Sequence, residues 1–495
     1  MHLQDLTATT KVKFGTSGAR GLAADMTDWV CYAYTAAFLQ FLEETGQAKA
    51  GMDVAVAGDL RESTDRIMGA VSRTITDRGY TLDYCGKIPT PALTYYGLLK
   101  TRPAIMVTGS HIPGDRNGIK FTKQEGEILK ADEACILAQD IDLPEDIFDL
   151  QGMLKEPFAL PYPHDRAQDL YVRRYTDFFG SSCLAGVNIG LYAHSAVGRD
   201  LTQTILESLG ATVTPLGRSE EFIPVDTEAI RAEDRELAQK WSAVYGFDAI
   251  VSTDGDGDRP LISDECGNWL RGDVAGILCA KYVQADAVVV PVSSNTALEK
   301  SGLFPAVYRT RIGSPYVIAG MQQAEQDGYT RIVGYEANGG FLTQSELDLK
   351  DRKLLPLPTR DPLIVIISLL AQAKQQQVPL SSLLNTLPKR YTASDRLTSF
   401  PVTTSHKVLD YFSTQDEQTN RSRIEEIFGP HFGHVDAVNQ TDGLRIIFDT
   451  QEIVHLRPSG NAPEFRCYTE AGRPERAQEM NEVCLGVIES WRDAD

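Results

Sequence analysis

The chain has 495 residues, 42% apolar and 23% charged; at roughly 100–150 residues per domain this gives three to five domains, and the composition excludes a disordered chain. A formal net charge of −20 argues against nucleic acid and anionic membrane surfaces as partners, since both would be repelled. The eight cysteines show no CxxC pair or zinc spacing, so reduced, mostly buried thiols are expected. Met1 to Phe14 lacks the apolar core of a secretory signal, and the apolar stretch Leu363–Ala371 is far shorter than the ~20 residues of a membrane helix, which makes a soluble cytoplasmic protein the expectation.

Short β-branched runs alternate with amphipathic stretches along most of the chain. The pattern predicts strands at Asp53–Ala57, Thr81–Tyr84 and Ala104–Thr108 with a helix at Glu62–Arg78. Strands follow at Val187–Tyr192, Ala211–Pro215 and Phe247–Thr253 around a helix at Asp200–Leu209. A third block has strands at Ala287–Val292, Ala306–Thr310 and Arg331–Gly334 and helices at Asn295–Lys300, Tyr316–Glu325 and Asp361–Gln375. The last stretch differs, with helices at Arg421–Phe428 and Glu475–Trp491 and strands at Gly443–Phe448 and Ile453–Arg457. Breaks are read at Pro157–Pro163, after Arg259 and at Pro388–Ser399. The expected fold is α/β: three similar α/β domains with mixed, mostly parallel sheets (1–160, 161–270, 271–387) and a C-terminal α+β domain (388–495) around a central cleft. Ligands in such sheets sit beyond the carboxyl ends of the strands, which is where the chemistry-bearing residues should fall.

Asp254-Gly-Asp256-Gly-Asp258-Arg259 follows a predicted strand and sets three carboxylates on alternate positions. Such crowded charge needs a cation, and hard oxygen donors with intervening glycines suit Mg²⁺ or Ca²⁺. Glu265 even occupies the twelfth position of an EF-hand counted from Asp254. Arg259 stands where that loop needs glycine, however, and strands flank the segment instead of helices. The other alternative is a solvated acidic turn.

The segment from Val107 to Lys120 presents Ser110 beside His111 on a turn-rich loop. A serine hydroxyl can carry a phosphoryl group when a cation offsets the phosphate charge and an acid or base serves the partner hydroxyl. His111 and Lys120 are near enough in sequence to do so, whereas read alone the loop is a capped turn. Phe14-Gly-Thr-Ser-Gly-Ala-Arg20-Gly21 is a glycine-rich loop whose N–H groups and Arg20 would suit a phosphate. Arg457-Pro-Ser459-Gly460-Asn461-Ala-Pro-Glu-Phe-Arg466 combines two arginines with small polar residues and can grip a phosphate dianion, or form a polar hairpin. Glu336-Ala-Asn338, after another strand, offers a carboxylate and an amide suited to sugar hydroxyls, or makes a structural turn.

Taken together, these five segments resemble the α-D-phosphohexomutase family, in its phosphomannomutase/phosphoglucomutase group, from Phe14 to Arg466 and in family order. The resemblance implies that Ser110 is a phosphoserine, that Asp254, Asp256 and Asp258 hold one Mg²⁺ per chain together with an oxygen on Ser110, and that Lys120 is the general acid/base. His111, Arg20 and Arg259 would complete the catalytic set. Glu336 and Asn338 would bind the sugar, and Arg457, Ser459, Gly460, Asn461 and Arg466 the phosphate that is not transferred. It implies small hexose phosphates as substrates, reversible exchange between hexose 1-phosphate and 6-phosphate of mannose or glucose, a hexose 1,6-bisphosphate activator, and a monomer or dimer. A phosphoglucosamine mutase, a phosphatase and a non-catalytic phosphosugar or Ca²⁺ sensor are the alternatives. The family's T-A-S-H-N-P reads Thr108-Gly109-Ser110-His111-Ile112-Pro113 here, Glu-x-Ser reads Glu336-Ala337-Asn338, and Arg311 and Ser314 stand where relatives often have a Lys and a His or Asp.

Overall fold

The computed structural model describes residues 1–15, 18–144, 146–349, 351–459 and 463–492. These fall into two compact units, Met1–Val288 with Gly313–Leu384, and Val289–Ile312 with Asn385–Asp495.

The first unit is built on mixed sheets. In the N-terminal sheet Asp53–Gly58 lies parallel to both Thr81–Lys87 and Ala104–Val107. The chain then reverses, so that Arg116–Lys123 runs antiparallel between Ala104–Val107 and Gly18–Leu22. The strand interiors read as continuous apolar runs because helices cover the sheet faces, and Val54, Val56, Ile105, Val107, Ile119 and Phe121 are all buried. Phe38, on the helix Asp28–Glu44, stacks on Phe121 with ring centroids 4.6 Å apart, and each such ring contributes about 1.5–3 kcal/mol by leaving water. In the second sheet Ala249–Thr253, Asn188–Tyr192 and Thr212–Leu216 are parallel, and Pro260–Ile262 turns back antiparallel on Ala249–Thr253. Farther on, Ile332–Tyr335 pairs antiparallel with Phe341–Thr343. The apolar stretch at Leu363 lies in the helix Pro362–Gln376, whose start is capped by Asp361.

The second unit carries a five-stranded, wholly antiparallel sheet in the order Tyr391–Thr398, Glu464–Ala471, Ile453–Pro458, Leu444–Phe448, Val435–Asn439. One face packs on the helices Glu417–Phe432 and Pro474–Glu489 through Phe428, Phe465, Cys467 and Met480.

Most predicted elements lie within a few residues of the observed ones, and three readings are corrected. Arg20 stands on the strand Gly18–Leu22 and not on a glycine loop. The stretch after Arg259 is a strand, Pro260–Ile262. The break at Pro388–Ser399 contains the eight-residue strand Tyr391–Thr398, whose mostly exposed edge position leaves no apolar run. All eight cysteines are free, five of them buried. Among the described residues no helix is long and apolar enough to cross a membrane.

Candidate active site

Three strand ends of the first unit deliver the site. Ser110 lies just past Ala104–Val107, Asp254 directly after Ala249–Thr253, and Glu336 directly after Ile332–Tyr335. Ser110 is fully buried and adopts φ +55°, a left-handed conformation that costs a serine on the order of 1 kcal/mol.

That conformation is held by Arg61, which the sequence reading did not single out. Its guanidinium donates to the carbonyls of Ser110 (2.8 Å), Ile112 (2.7 Å), Pro113 (2.6 Å) and Arg116 (3.0 Å). Its Nε donates to Asp59 Oδ2 at 3.1 Å, in an ion pair with both side chains wholly buried. Thr108 Oγ1 donates to the same Asp59 oxygen at 2.7 Å and accepts the Ser110 N–H at 2.7 Å. Gly109 is what lets the guanidinium in, since a β-carbon there would lie 2.7 Å from Arg61 Cζ.

The Ser110 hydroxyl donates to Asp254 Oδ2 at 2.8 Å, and its oxygen is 3.3 Å from His111 Nδ1. Burial, reinforced by Arg259 and Arg20, pushes the His111 imidazole well below its usual range, so the ring is neutral. Burial followed by the charges of Asp256 and Asp258 pushes the Asp254 carboxyl well above the carboxylate range. Asp256 and Asp258 go the opposite way despite their burial. Lys120 pulls Asp256 down; Arg360 and then Lys120 pull Asp258 down.

Lys120 lies mid-strand in Arg116–Lys123, and its ammonium donates to Asp256 Oδ2 at 2.5 Å and Asp258 Oδ2 at 2.7 Å. Burial works against the ammonium, but the two carboxylates more than offset it and raise its pKa. Thr90 Oγ1 also donates to Asp256 Oδ2, at 2.6 Å.

Carboxylate oxygens of Asp254, Asp256 and Asp258 come within 4.8 Å of one another. Oδ1 of Asp256 and Oδ1 of Asp258 are buried with no hydrogen-bond partner. Buried, unpartnered hard oxygens in a cluster of three fit a divalent cation such as Mg²⁺. Glu265 does not join them, because its carboxylate accepts from the N–H and hydroxyl of Ser381.

Arginines surround this acidic centre. Arg259 Nε lies 3.7 Å from Asp258 Oδ1 and 3.9 Å from Asp254 Oδ2. Burial and the neighbouring Arg259 push the Arg20 guanidinium down to about 10, which leaves it charged at neutral pH. Arg360, buried and absent from the sequence motifs, bridges the triad to Glu336: Nε donates to Asp258 Oδ2 and Nη1 to Glu336 Oε2, both at 3.0 Å. A β-carbon at Gly340 would collide with the Arg360 stem. Glu336 Oε1 takes no part in that bridge. Asn338 spends its side-chain carbonyl on the Gly340 N–H (2.9 Å), so its NH₂ is the group it can offer. Ser314 donates to Glu127 Oε2 at 3.0 Å, inside the protein matrix.

In the second unit Arg457 Nε lies 3.0 Å from Asp442 Oδ1, and Arg466 Nη2 donates to Glu464 Oε2 at 3.2 Å. Ser459 is buried at the end of the strand Ile453–Pro458. Gly460 and Asn461 lie outside the described residues, as do Thr16 and Ser17 of the N-terminal segment.

A buried serine bonded to one member of a cation-fitting carboxylate triad suits metal-assisted phosphoryl transfer. Models of the phosphoglucomutase/phosphomannomutase α/β/α domains I, II and III match residues 11–142, 169–267 and 271–391. The chain belongs to the phosphoglucomutase/phosphomannomutase family. It is 44% identical to a phosphomannomutase of Salmonella muenchen, over 98% of this chain and 97% of the relative. To a phosphomannomutase of Sinorhizobium fredii it is 41% identical, over 97% and 99%. A phosphoglucomutase/phosphomannomutase family protein of Burkholderia thailandensis shares the fold, with a TM-score of 0.71 at 19% identity and 97% coverage of both chains.

Proposed function

We propose that this chain interconverts hexose 1-phosphate and hexose 6-phosphate, with mannose and glucose as the sugars, through a phosphorylated Ser110 and a bisphosphorylated intermediate. The observation that carries the reading is the Ser110 hydroxyl bound to Asp254 within the carboxylate triad, with Lys120 on the other two members. Mannose is favoured because full-length relatives at 41–44% identity bear the name phosphomannomutase, whereas a full-length phosphoglucosamine mutase, from Bacillus subtilis, stands at 25%.

In this reading the domains 1–160, 161–270, 271–387 and 388–495 supply the serine, the carboxylates, the sugar loop and the phosphate clamp in turn. Asp254, Asp256 and Asp258 would hold Mg²⁺, which when bound supplies positive charge against the phosphoryl oxygens. Phosphorylated Ser110 gives its phosphoryl group to a free hydroxyl of the bound sugar phosphate. The bond from phosphorus to the sugar oxygen forms as the bond to Ser110 Oγ breaks, the sugar hydroxyl loses its proton, and the serine oxygen gains one. Lys120 would pass this proton between the two oxygens. Arg20 and Arg259 offset charge on the group in flight. Neutral His111 orients the serine oxygen. Glu336 Oε1 and the Asn338 amide take sugar hydroxyls, while Arg457, Ser459, Gly460, Asn461 and Arg466 hold the other phosphate. After the intermediate turns over, its second phosphate returns to Ser110. A trace of hexose 1,6-bisphosphate would keep the serine phosphorylated.

The test is a coupled assay on mannose, glucose and glucosamine 1-phosphates with a trace of hexose bisphosphate, with and without Mg²⁺. Turnover of mannose 1-phosphate that needs Mg²⁺ is expected. Preferred turnover of the amino sugar would overturn the substrate reading, and stoichiometric release of free phosphate would overturn the transfer itself.

A further inference from the structure

Three arginines stand in one row across the sheet of the second unit. Arg457 is the cross-strand partner of Arg466, and Arg466 is in turn the partner of Arg396 on the edge strand Tyr391–Thr398. Residues directly opposite one another on antiparallel neighbours project to the same face with Cβ atoms roughly 4.5–5.5 Å apart, and like charges in that register destabilise the sheet. Phe465 and Cys467, on either side of Arg466, are buried; the arginine row thus belongs to the face turned away from the core.

Two carboxylates answer the three guanidiniums. Glu464 is divided between Arg396, at 3.5 Å, and Arg466, at 3.2 Å, while Asp442 lies 3.0 Å from Arg457. The two Glu464 contacts are long beside the roughly 2.7–2.9 Å of a good charge-assisted bond. One positive charge is left over, and the Arg396 fork keeps donors for a bidentate grip. The Arg396 side chain is 52% exposed and that of Arg466 36%, so a ligand can reach both from solvent. A dianionic phosphate seated on the row would remove the like-charge cost that the register imposes.

We propose that Arg396 is a phosphate-binding residue, the third member of this row, gripping the phosphate of the hexose substrate that is not being transferred. The inference rests on the reading of Arg457 and Arg466 as a phosphate clamp, and extends it onto a strand that no motif marks.

The experiment compares Arg396→Ala, Arg396→Lys and Arg457→Ala with the parent enzyme, using mannose 1-phosphate as substrate and inorganic phosphate as competitive inhibitor. Arg396→Ala is expected to raise KM and the inhibition constant of phosphate together by about 5–20-fold, as for loss of one charge-assisted contact, with kcat within about twofold. Arg396→Lys keeps the charge without the fork and should fall in between. Raising the salt to about 1 M should narrow the gap between Arg396→Ala and parent. An unchanged KM in Arg396→Ala beside a raised one in Arg457→Ala would leave Arg396 an edge-strand ion pair with Glu464 and overturn the inference alone. An unchanged Arg457→Ala would remove the clamp reading, while a raised KM in Arg396→Ala would still locate phosphate on the row. If neither variant responds, both ideas fall.

Discussion

Ser110 Oγ donates to Asp254 Oδ2 at 2.8 Å although 144 residues separate them in the chain. This bond cannot outlast phosphorylation, because an ester oxygen carries no hydrogen to donate. Phosphoserine would instead face a buried carboxylate with two more beside it, a like-charge repulsion that Lys120, Arg259 and Arg360 offset in part and that a cation at the triad would offset further.

Replacing Ser110 with alanine removes the oxygen that would store phosphate and leaves intact the residues proposed to hold the sugar and the second phosphate. Turnover should drop by on the order of 10⁴ or more while hexose-phosphate binding, followed by calorimetry, changes little. The parent incubated with bisphosphate should gain one phosphate mass on the peptide containing Ser110, and the variant none. Retained turnover in the variant would exclude the covalent route.

Removing divalent cations should stop transfer without unfolding the protein. Lys120 and Arg360 already neutralise part of the triad in the metal's absence. Chelator-treated enzyme should therefore keep its melting temperature to within a few degrees and lose activity, which Mg²⁺ restores. Asp256→Asn should raise the Mg²⁺ concentration needed for half-maximal activity by on the order of tenfold. Activity indifferent to chelator would refute the assignment of the triad.

The serine loop was legible in part. Thr108, Ser110 and Lys120 lie close together in the chain, as do the three aspartates, so their spacing alone carries a signal. Arg61, Thr90 and Arg360 reach the same centre from remote segments; Asp59 stands two residues before Arg61 and Asp361 directly after Arg360, spacings too common along a chain to mark a site. Arg61 had one weak marker, its place just past the carboxyl end of the strand Asp53–Gly58. The helix Asp28–Glu44 was invisible for a different reason: nearly all of it is buried, which erases the polar stripe on which helical periodicity depends. The strand Tyr391–Thr398, mostly exposed, lacks an apolar stripe.

Gly109 and Arg61 form a matched pair, and each makes a stability prediction. Arg61→Met would strand the buried Asp59 carboxylate and free four loop carbonyls, costing about 3–5 kcal/mol. Gly109→Ala would push a methyl group onto a guanidinium that cannot move aside without breaking those bonds, for about 1–3 kcal/mol. Urea denaturation measures both. The serine loop should also lose its left-handed turn, so kcat should fall further in Arg61→Met than in Gly109→Ala. Equal stability of all three proteins would show that the cradle does not hold the loop.

Arg360 joins the Asp258 carboxylate of the triad to the carboxylate of Glu336, proposed above to meet the sugar. Its guanidinium occupies Glu336 Oε2 and, in the proposed function, would fix the direction in which Oε1 accepts from a sugar hydroxyl. Arg360→Met fills the channel left open by Gly340 but offers no donor, so the Glu336 side chain is then free to rotate. KM for mannose 1-phosphate should rise by about tenfold, as should the dissociation constant measured without divalent cation. Because Arg360 would act on the sugar through Glu336, pairing Arg360→Met with Glu336→Gln should weaken binding little beyond Glu336→Gln alone. Multiplicative losses in the pair would mean that Arg360 acts on the ligand by another route, and an unaffected dissociation constant in Arg360→Met would mean that it does not position the sugar loop.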